Sequence, residues 1–203
     1  MCESCTPGQF QNANAQLRCI NCTAGMYQNE RRSTTCKVCP AGYFCPEGAA
    51  EPKECRHGAT FSGSDSGENA VYCPEGYARA VPVAAGFKGA SDAQGGTNRT
   101  FTSIVQVAPG FYSSIGVEEE CTPGHEASIG GLSQCSPCGT GRFAHGFGTI
   151  QCATCPAGQF AELYGSISCS TCPKGYYSPA NSSSQCLVCG AGQFAAGDGS
   201  SVC

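Results

Sequence analysis

Tryptophan is absent from the sequence and methionine occurs twice, while 28 glycines and 12 prolines break the chain into short segments. A chain of 203 residues so poor in large side chains does not fold around one apolar core. No apolar run reaches the roughly 18 residues that a membrane-spanning helix needs, and no charged-then-apolar leader opens the chain, so it reads as starting inside a larger parent protein. An excess of one charge is missing too. The formal net charge is -4, and the 11 basic residues are scattered singly apart from Arg31-Arg32. That leaves no footprint for nucleic acid or for an anionic membrane.

What is present is cysteine, 19 residues of it, above the roughly 8–10% that marks a disulfide scaffold. The C-terminal part divides into CTPGHEASIGGLSQC, CGTGRFAHGFGTIQC, CPAGQFAELYGSISC, CPKGYYSPANSSSQC and CGAGQFAAGDGSSVC. Each loop closes 14 positions after it opens, and the next opens three residues later, a period of 17. CTPGQFQNANAQLRC and CTAGMYQNERRSTTC repeat the frame near the N-terminus. Glycine and serine fill it without a 3.6-residue apolar stripe, which predicts stacked loops with short strands and almost no helix. The fold class expected is a small disulfide-rich, mostly loop protein, an elongated tandem array of about 17-residue modules.

Glycine stands three residues after the opening cysteine throughout, as at Gly8, Gly124, Gly141, Gly158, Gly175 and Gly192, which predicts a turn needing positive φ. Gly58 and Gly76 stand at the same distance from Cys55 and Cys73, and Gly110 from Val107. Two residues after this glycine comes a ring in most units: Phe10, Tyr27, Phe44, Tyr112, Phe143, Phe160, Tyr177 and Phe194. These rings are expected to cover the neighbouring disulfide and to supply the small core of each unit, rather than to form a ligand-stacking ladder.

The middle is irregular, and four regions follow: cysteine-rich repeats over 1–73, a cysteine-free, glycine-rich insert over 74–106, a degenerate repeat without internal cysteines over 107–120, and five tandem repeats over 121–203. VAPGFYSSIGVEEEC resembles CPAGYFCPEGAAEPKEC, with Val107 in the place of Cys39 and Ser113 in that of Cys45. Joint loss of two cysteines suggests that Cys39 bonds Cys45; Cys39 to Cys55 with Cys45 to Cys73 is the alternative. With the first choice, Cys55 and Cys73 close a longer loop of the usual type, enlarged by four residues. In the insert, Val-Pro-Val and TFTSIVQV predict one or two short strands, which lack staples and pack either against neighbouring modules or against another chain, the second being the expectation.

Repeated CxxC allows zinc, redox or staple readings. A four-thiolate zinc site consumes two CxxC pairs, yet seven exist, and His57, His125 and His145 are isolated. A redox pair needs one thiolate at a helix N-terminus, which glycine-rich loops do not supply. The staple reading joins Cys5 to Cys19, Cys22 to Cys36, Cys39 to Cys45, Cys55 to Cys73, Cys121 to Cys135, Cys138 to Cys152, Cys155 to Cys169, Cys172 to Cys186 and Cys189 to Cys203. It leaves Cys2, standing where a preceding loop would close, and makes the two residues inside each CxxC a hinge between covalent rings. Each closure contributes roughly 3 kcal/mol by restricting the unfolded chain, and such bonds persist in oxidising compartments. Titration of free thiols in denaturant then yields at most about one per chain, whereas an intracellular zinc array would give many. Sequons at Asn21, Asn98 and Asn181 agree with secretion, Asn98 and Asn181 being the better placed for glycosylation.

The run CPAGQFAELYGSISCSTCPKGYYSPANSSSQC resembles the ephrin-receptor-like cysteine-rich repeat, a relative of EGF-like and TNF-receptor-like modules. The resemblance extends over Cys2 to Cys73 and Val107 to Cys203, and it implies extracellular, elongated, disulfide-linked modules without catalytic residues. Tandem arrays of this kind also resemble those of large protist and algal surface proteins, such as mastigoneme subunits.

No nucleophile, base and orienting group share a frame, and no glycine-rich stretch has the context of a phosphate loop, so neither an enzyme nor a cofactor site is expected. Glu118-Glu119-Glu120 could draw calcium, but no spaced oxygen-ligand loop surrounds it. The expected function is a structural subunit of an extracellular, glycosylated filament or surface appendage, secreted or on the cell or flagellar surface. Its partners would be its own copies or sister subunits and covalent glycans. The stalk or ligand-binding ectodomain of a receptor is the alternative.

Overall fold

The computed structural model describes residues 4–55, 70–90 and 101–203. Cys2, Gly58 and Asn98 therefore lie outside the described residues. Among these residues there is no helix, and every strand belongs to a two-stranded antiparallel hairpin, in most cases two residues a side.

The repeat Cys155–Cys169 shows how the sequence makes one unit. Gly158, with φ +82°, reverses the chain, a conformation that costs an L-residue roughly 1–2 kcal/mol. Gln159–Phe160 then pairs with Ser170–Thr171, in register Gln159 to Thr171 and Phe160 to Ser170. Ser170 and Thr171 are the middle residues of a CxxC. The reading of those residues as a hinge is thus corrected: in each regular repeat they are the return strand of the hairpin, as Ala153–Thr154 is for Arg142–Phe143. The disulfide Cys155–Cys169, Cα atoms 5.7 Å apart, closes the loop at the base of that strand.

Counting the opening cysteine as position 0, the buried side chain of most units is at position 6, the Cys5 repeat with its half-buried Gln11 being the exception. It is Ala127, Ala144, Ala161, Ser178 or Ala195 in the five C-terminal repeats and Gln28 in the Cys22 repeat, all buried. Ala144 packs with Cys138 and Cys152 in one cluster. The core is thus a disulfide and a small residue. The position-5 rings were expected to supply it; instead they flank it, half-buried. Tyr27 lies against the Cys39, Cys45 and Ala49 cluster and Phe44 against that of Cys55, Cys73 and Ala80, each on the disulfide of the following repeat. Phe194, in the last repeat, is 76% exposed.

Three backbone hydrogen bonds join each C-terminal repeat to the next. At the junction after the Cys138 repeat, the Gly141 N–H donates to the Ala161 carbonyl, the Ala144 N–H to the Ser166 carbonyl, and the Gly165 N–H back to the Cys138 carbonyl. A ladder is the expected fate of these groups, since a buried unpaired N–H or C=O is costly. The close stacking also explains the position-3 glycine a second time. A methyl group on Gly158 would lie 2.1 Å from the Gly199 carbonyl oxygen, two repeats away.

A second left-handed residue stands at position 10, glycine at Gly131, Gly148, Gly165 and Gly199 but Ala15, Arg32 and Ser182 elsewhere. At position 11 a hydroxyl donates back to the position-8 carbonyl, from Thr149, Ser166, Ser183 and Ser200, a local bond typical of serine and threonine in turns. Positions 8 to 12 thus form a tight tip.

Contacts divide the chain into two units, one of residues 1–105 with 115–117 and one of residues 106–114 with 118–203. In the first, Cys39 bonds Cys45 and Cys55 bonds Cys73. The second of these bonds is not an enlarged 0-to-14 loop. The Val83 N–H bonds the Ala70 carbonyl, as an opening residue bonds a position-3 carbonyl elsewhere, and the Gly42 N–H bonds the Cys73 carbonyl, as at position 6. Cys73 is therefore the position-6 residue, equivalent to Cys45, and the added residues lie between positions 0 and 3. Gly76, with its N–H on the Cys39 carbonyl, is correspondingly the second left-handed residue and not the first.

Part of the stretch read as an insert keeps the same frame. Val83 is buried at the opening position, Gly86 (φ +82°) follows three residues later, and Phe87–Ala90 pairs with Ser103–Gln106. This part packs on neighbouring residues of its own chain: the Phe101 carbonyl accepts the Cys73 N–H, and the Phe101 ring occupies the space that a side chain at Gly89 would need.

Candidate interaction surface

In the second unit the stacking brings like positions of successive repeats into line, because each position-6 N–H is tied to a tip carbonyl of the next repeat. The tips of three consecutive repeats are apolar: Ile129 in the first, Phe147 and Ile150 in the second, and Leu163, Tyr164 and Ile167 in the third, all exposed, Tyr164 to 73%. A 17-residue unit with one small buried side chain has no room for them inside. Contiguous exposed apolar side chains of this kind mark interaction surfaces. The next two tips are polar, with Asn181 and Asp198 at the corresponding place.

Glu162 adjoins Leu163 in the chain and is exposed. The Glu120 carboxyl carbon lies 4.0 Å from where a side chain on Gly148 would start, beside the Phe147 tip. Glu119 and Glu120 form a strand against Phe111–Tyr112, so their side chains leave on opposite faces. Glu119 accepts the Tyr112 hydroxyl proton at 2.5 Å, and this bond raises the Tyr112 pKa above its ordinary value. The acidic run thus does not converge on a cation, and no group of three or more acidic, histidine or cysteine residues placed to hold a metal occurs among the described residues.

The first unit has tips of another character. Leu17, 99% exposed, precedes Arg18, and the Arg18 carbonyl accepts the Gln11 side-chain amide. The Gln11 N–H reaches the Ser33 carbonyl and the Arg32 N–H the Cys5 carbonyl, which seats the Arg31-Arg32 tip on the Cys5 repeat. Glu30 beside it is bonded to Lys37 at 2.8 Å; that hydrogen bond, then the charge itself, lowers the Glu30 pKa and raises that of Lys37.

Among the described residues nine disulfides are formed, the remaining pairs being Cys5–Cys19, Cys22–Cys36, Cys121–Cys135, Cys138–Cys152, Cys172–Cys186 and Cys189–Cys203. The opening cysteines from Cys5 to Cys172 are buried, whereas Cys203 is exposed. Of the sequon asparagines, Asn21 accepts a bond from the Gln9 side chain, and Asn181 accepts the Ala157 N–H through Oδ1 at 3.1 Å from an exposed tip.

The family model described as tyrosine-protein kinase ephrin type A/B receptor-like matches residues 13–55 and 158–202. The chain carries ephrin-receptor-like cysteine-rich repeats. These are disulfide-rich modules of extracellular, receptor-like or structural proteins, typically without catalysis. No curated protein matches the chain. No helix of the described residues is long and apolar enough to cross a membrane. Outside the matched segments, backbone bonds of the same repeat pattern recur at Val83 and Val107, where cysteines are absent.

Sequence reasoning missed the apolar tips, the position-6 core and the position-10 turn. The aligned loops contained the signal: alanine or serine recurs at position 6 and glycine at position 10 in most C-terminal repeats.

Proposed function

We propose that the chain is a non-catalytic structural subunit of an extracellular, glycosylated surface assembly, a filament or appendage of the mastigoneme kind. The observation that carries this reading is the repeated three-bond ladder, which holds successive stapled loops in one stacking geometry and lines up their tips. Such an array presents a periodic outer surface while its own interior holds little beyond disulfides and small side chains, and periodic surfaces suit association with further subunits. A receptor stalk or ectodomain, which the family description favours, is the second reading.

Electron microscopy of native material with an antibody to this chain tests the proposal. Regular labelling along a fibre or coat is expected. A purified chain that stays monomeric and binds a soluble protein saturably would overturn it in favour of the receptor. The glycan arm of the proposal has its own test at Asn181. Asp198 makes the same loop bond in the next repeat, its Oδ1 accepting the Lys174 N–H at 3.1 Å. Asn181→Asp therefore keeps the bond and removes the acceptor nitrogen. Material secreted by a eukaryotic host is expected to lose one glycan mass on this substitution, and an unchanged glycan mass would show that Asn181 carries none.

A further inference from the structure

The charges of the two units differ. The second unit holds Glu118, Glu119, Glu120, Glu126, Glu162 and Asp198 against Arg142 and Lys174, and so accounts for the whole net charge of -4. Its apolar tips therefore stand in a negative field, with Glu162 next to Leu163 and Glu120 beside Phe147. In the first unit the exposed Leu17 and Ile20 flank Arg18, and the adjoining tip carries Arg31 and Arg32 while its Glu30 is held by Lys37. One surface is apolar and acidic, the other apolar and basic.

We infer that these surfaces are the two halves of one heterologous contact between copies of this chain: the Leu17 and Arg31-Arg32 tips of one copy, with the exposed Ile20 of the adjoining strand, dock on the Phe147, Ile150, Leu163 and Tyr164 tips of the next. This rests on the assembly reading above and names its partner and surfaces. The occupant is a second copy because the complementary half is present on the same chain. Like halves repel, which disfavours the two-fold pairing of acidic tip with acidic tip, whereas a head-to-tail contact whose rotation does not close extends into a fibre. Apolar side chains supply the attraction on contact and the charges select the orientation.

A charge swap in the full, disulfide-bonded chain tests this by sedimentation velocity at low and high salt. The parent chain is expected to self-associate, more weakly as salt screens the charges. Arg31→Glu with Arg32→Glu makes both halves acidic, and Glu120→Lys with Glu162→Lys makes both basic, so each variant alone is expected to associate about tenfold more weakly or less. Mixed together, the two variants pair a first-unit tip made acidic with second-unit tips flanked by lysine in place of Glu120 and Glu162, and association is expected to return. Thiol titration checks that each variant is fully bonded. Parent self-association that neither variant weakens, or a mixture that does not recover, overturns the inference and leaves the assembly reading standing on another surface. A parent chain monomeric at every concentration and bound to a soluble protein overturns both.

Discussion

Ala127 has no exposed surface, and its equivalents are alanine, serine, cysteine or, in the Cys22 repeat, a glutamine whose amide is bonded at both ends, so position 6 takes a longer side chain only where its polar end is satisfied. Ala127→Leu is expected to lower the thermal midpoint through overpacking of about 1–3 kcal/mol, whereas Ala127→Ser, which reproduces Ser178, leaves it nearly unchanged; equal midpoints for the two would remove position 6 from the core. The glycine column separates two costs in the same way. Gly175 has φ +80° and open space where a side chain would start, while Gly158 has φ +82° and the Gly199 carbonyl oxygen there. Gly175→Ala is expected to show the backbone cost alone, about 1–2 kcal/mol, and Gly158→Ala a larger loss, read as two thermal midpoints under non-reducing conditions. Gly158 was legible from its spacing to cysteine, but only as a turn. Its second role, admitting a carbonyl from two repeats away, depends on a stacking that no local pattern encodes.

At the scale of the element, the disulfide and the buried small residue are interchangeable ways of filling one site. The Cys39 repeat bonds position 0 to position 6, and the Val107 repeat holds Val107 and Ser113 in those two places, both buried. Cys39→Val with Cys45→Ser rewrites the first pair as the second. The double variant is expected to retain the remaining eight disulfides with no new free thiol, losing up to about 3 kcal/mol. Cys45→Ser alone is expected to strand Cys39 and to scramble pairing, visible as mispaired peptides in a non-reducing digest. The staples of the regular repeats were legible because cysteine recurs there at a fixed spacing; the return strand inside each CxxC was not, because its two residues carry no strand pattern of their own, and Cys73 was placed at the wrong position of its repeat. The unit opened by Val83 was not legible either, although Val83-Ala84-Ala85-Gly86-Phe87 differs from Val107-Ala108-Pro109-Gly110-Phe111 at one residue. With its cysteines replaced, that unit is specified by burial and backbone bonds, which a cysteine count does not register.

At the scale of the whole molecule, stability is distributed as a chain of junctions, since each repeat in the C-terminal run bonds to its neighbours and comes into close approach with those two steps away. Stability of such arrays is close to a sum of unit and nearest-neighbour terms, and a local break spreads only as far as those terms reach. Gly141 offers a place to cut: its N–H bonds the Ala161 carbonyl, and a methyl group there would lie 1.9 Å from the Ser182 carbonyl oxygen. In Gly141→Ala, amide exchange is expected to quicken at Ala144 and Gly165, whose N–H groups make the other two bonds of that junction, and to stay at the parent rate in residues 4–55. Disulfides hold each ring closed throughout, so the chain opens between rings without unfolding any of them. Uniformly faster exchange across both units would mean that the array melts as one body, and the repeat-by-repeat account of its rigidity would fail with it.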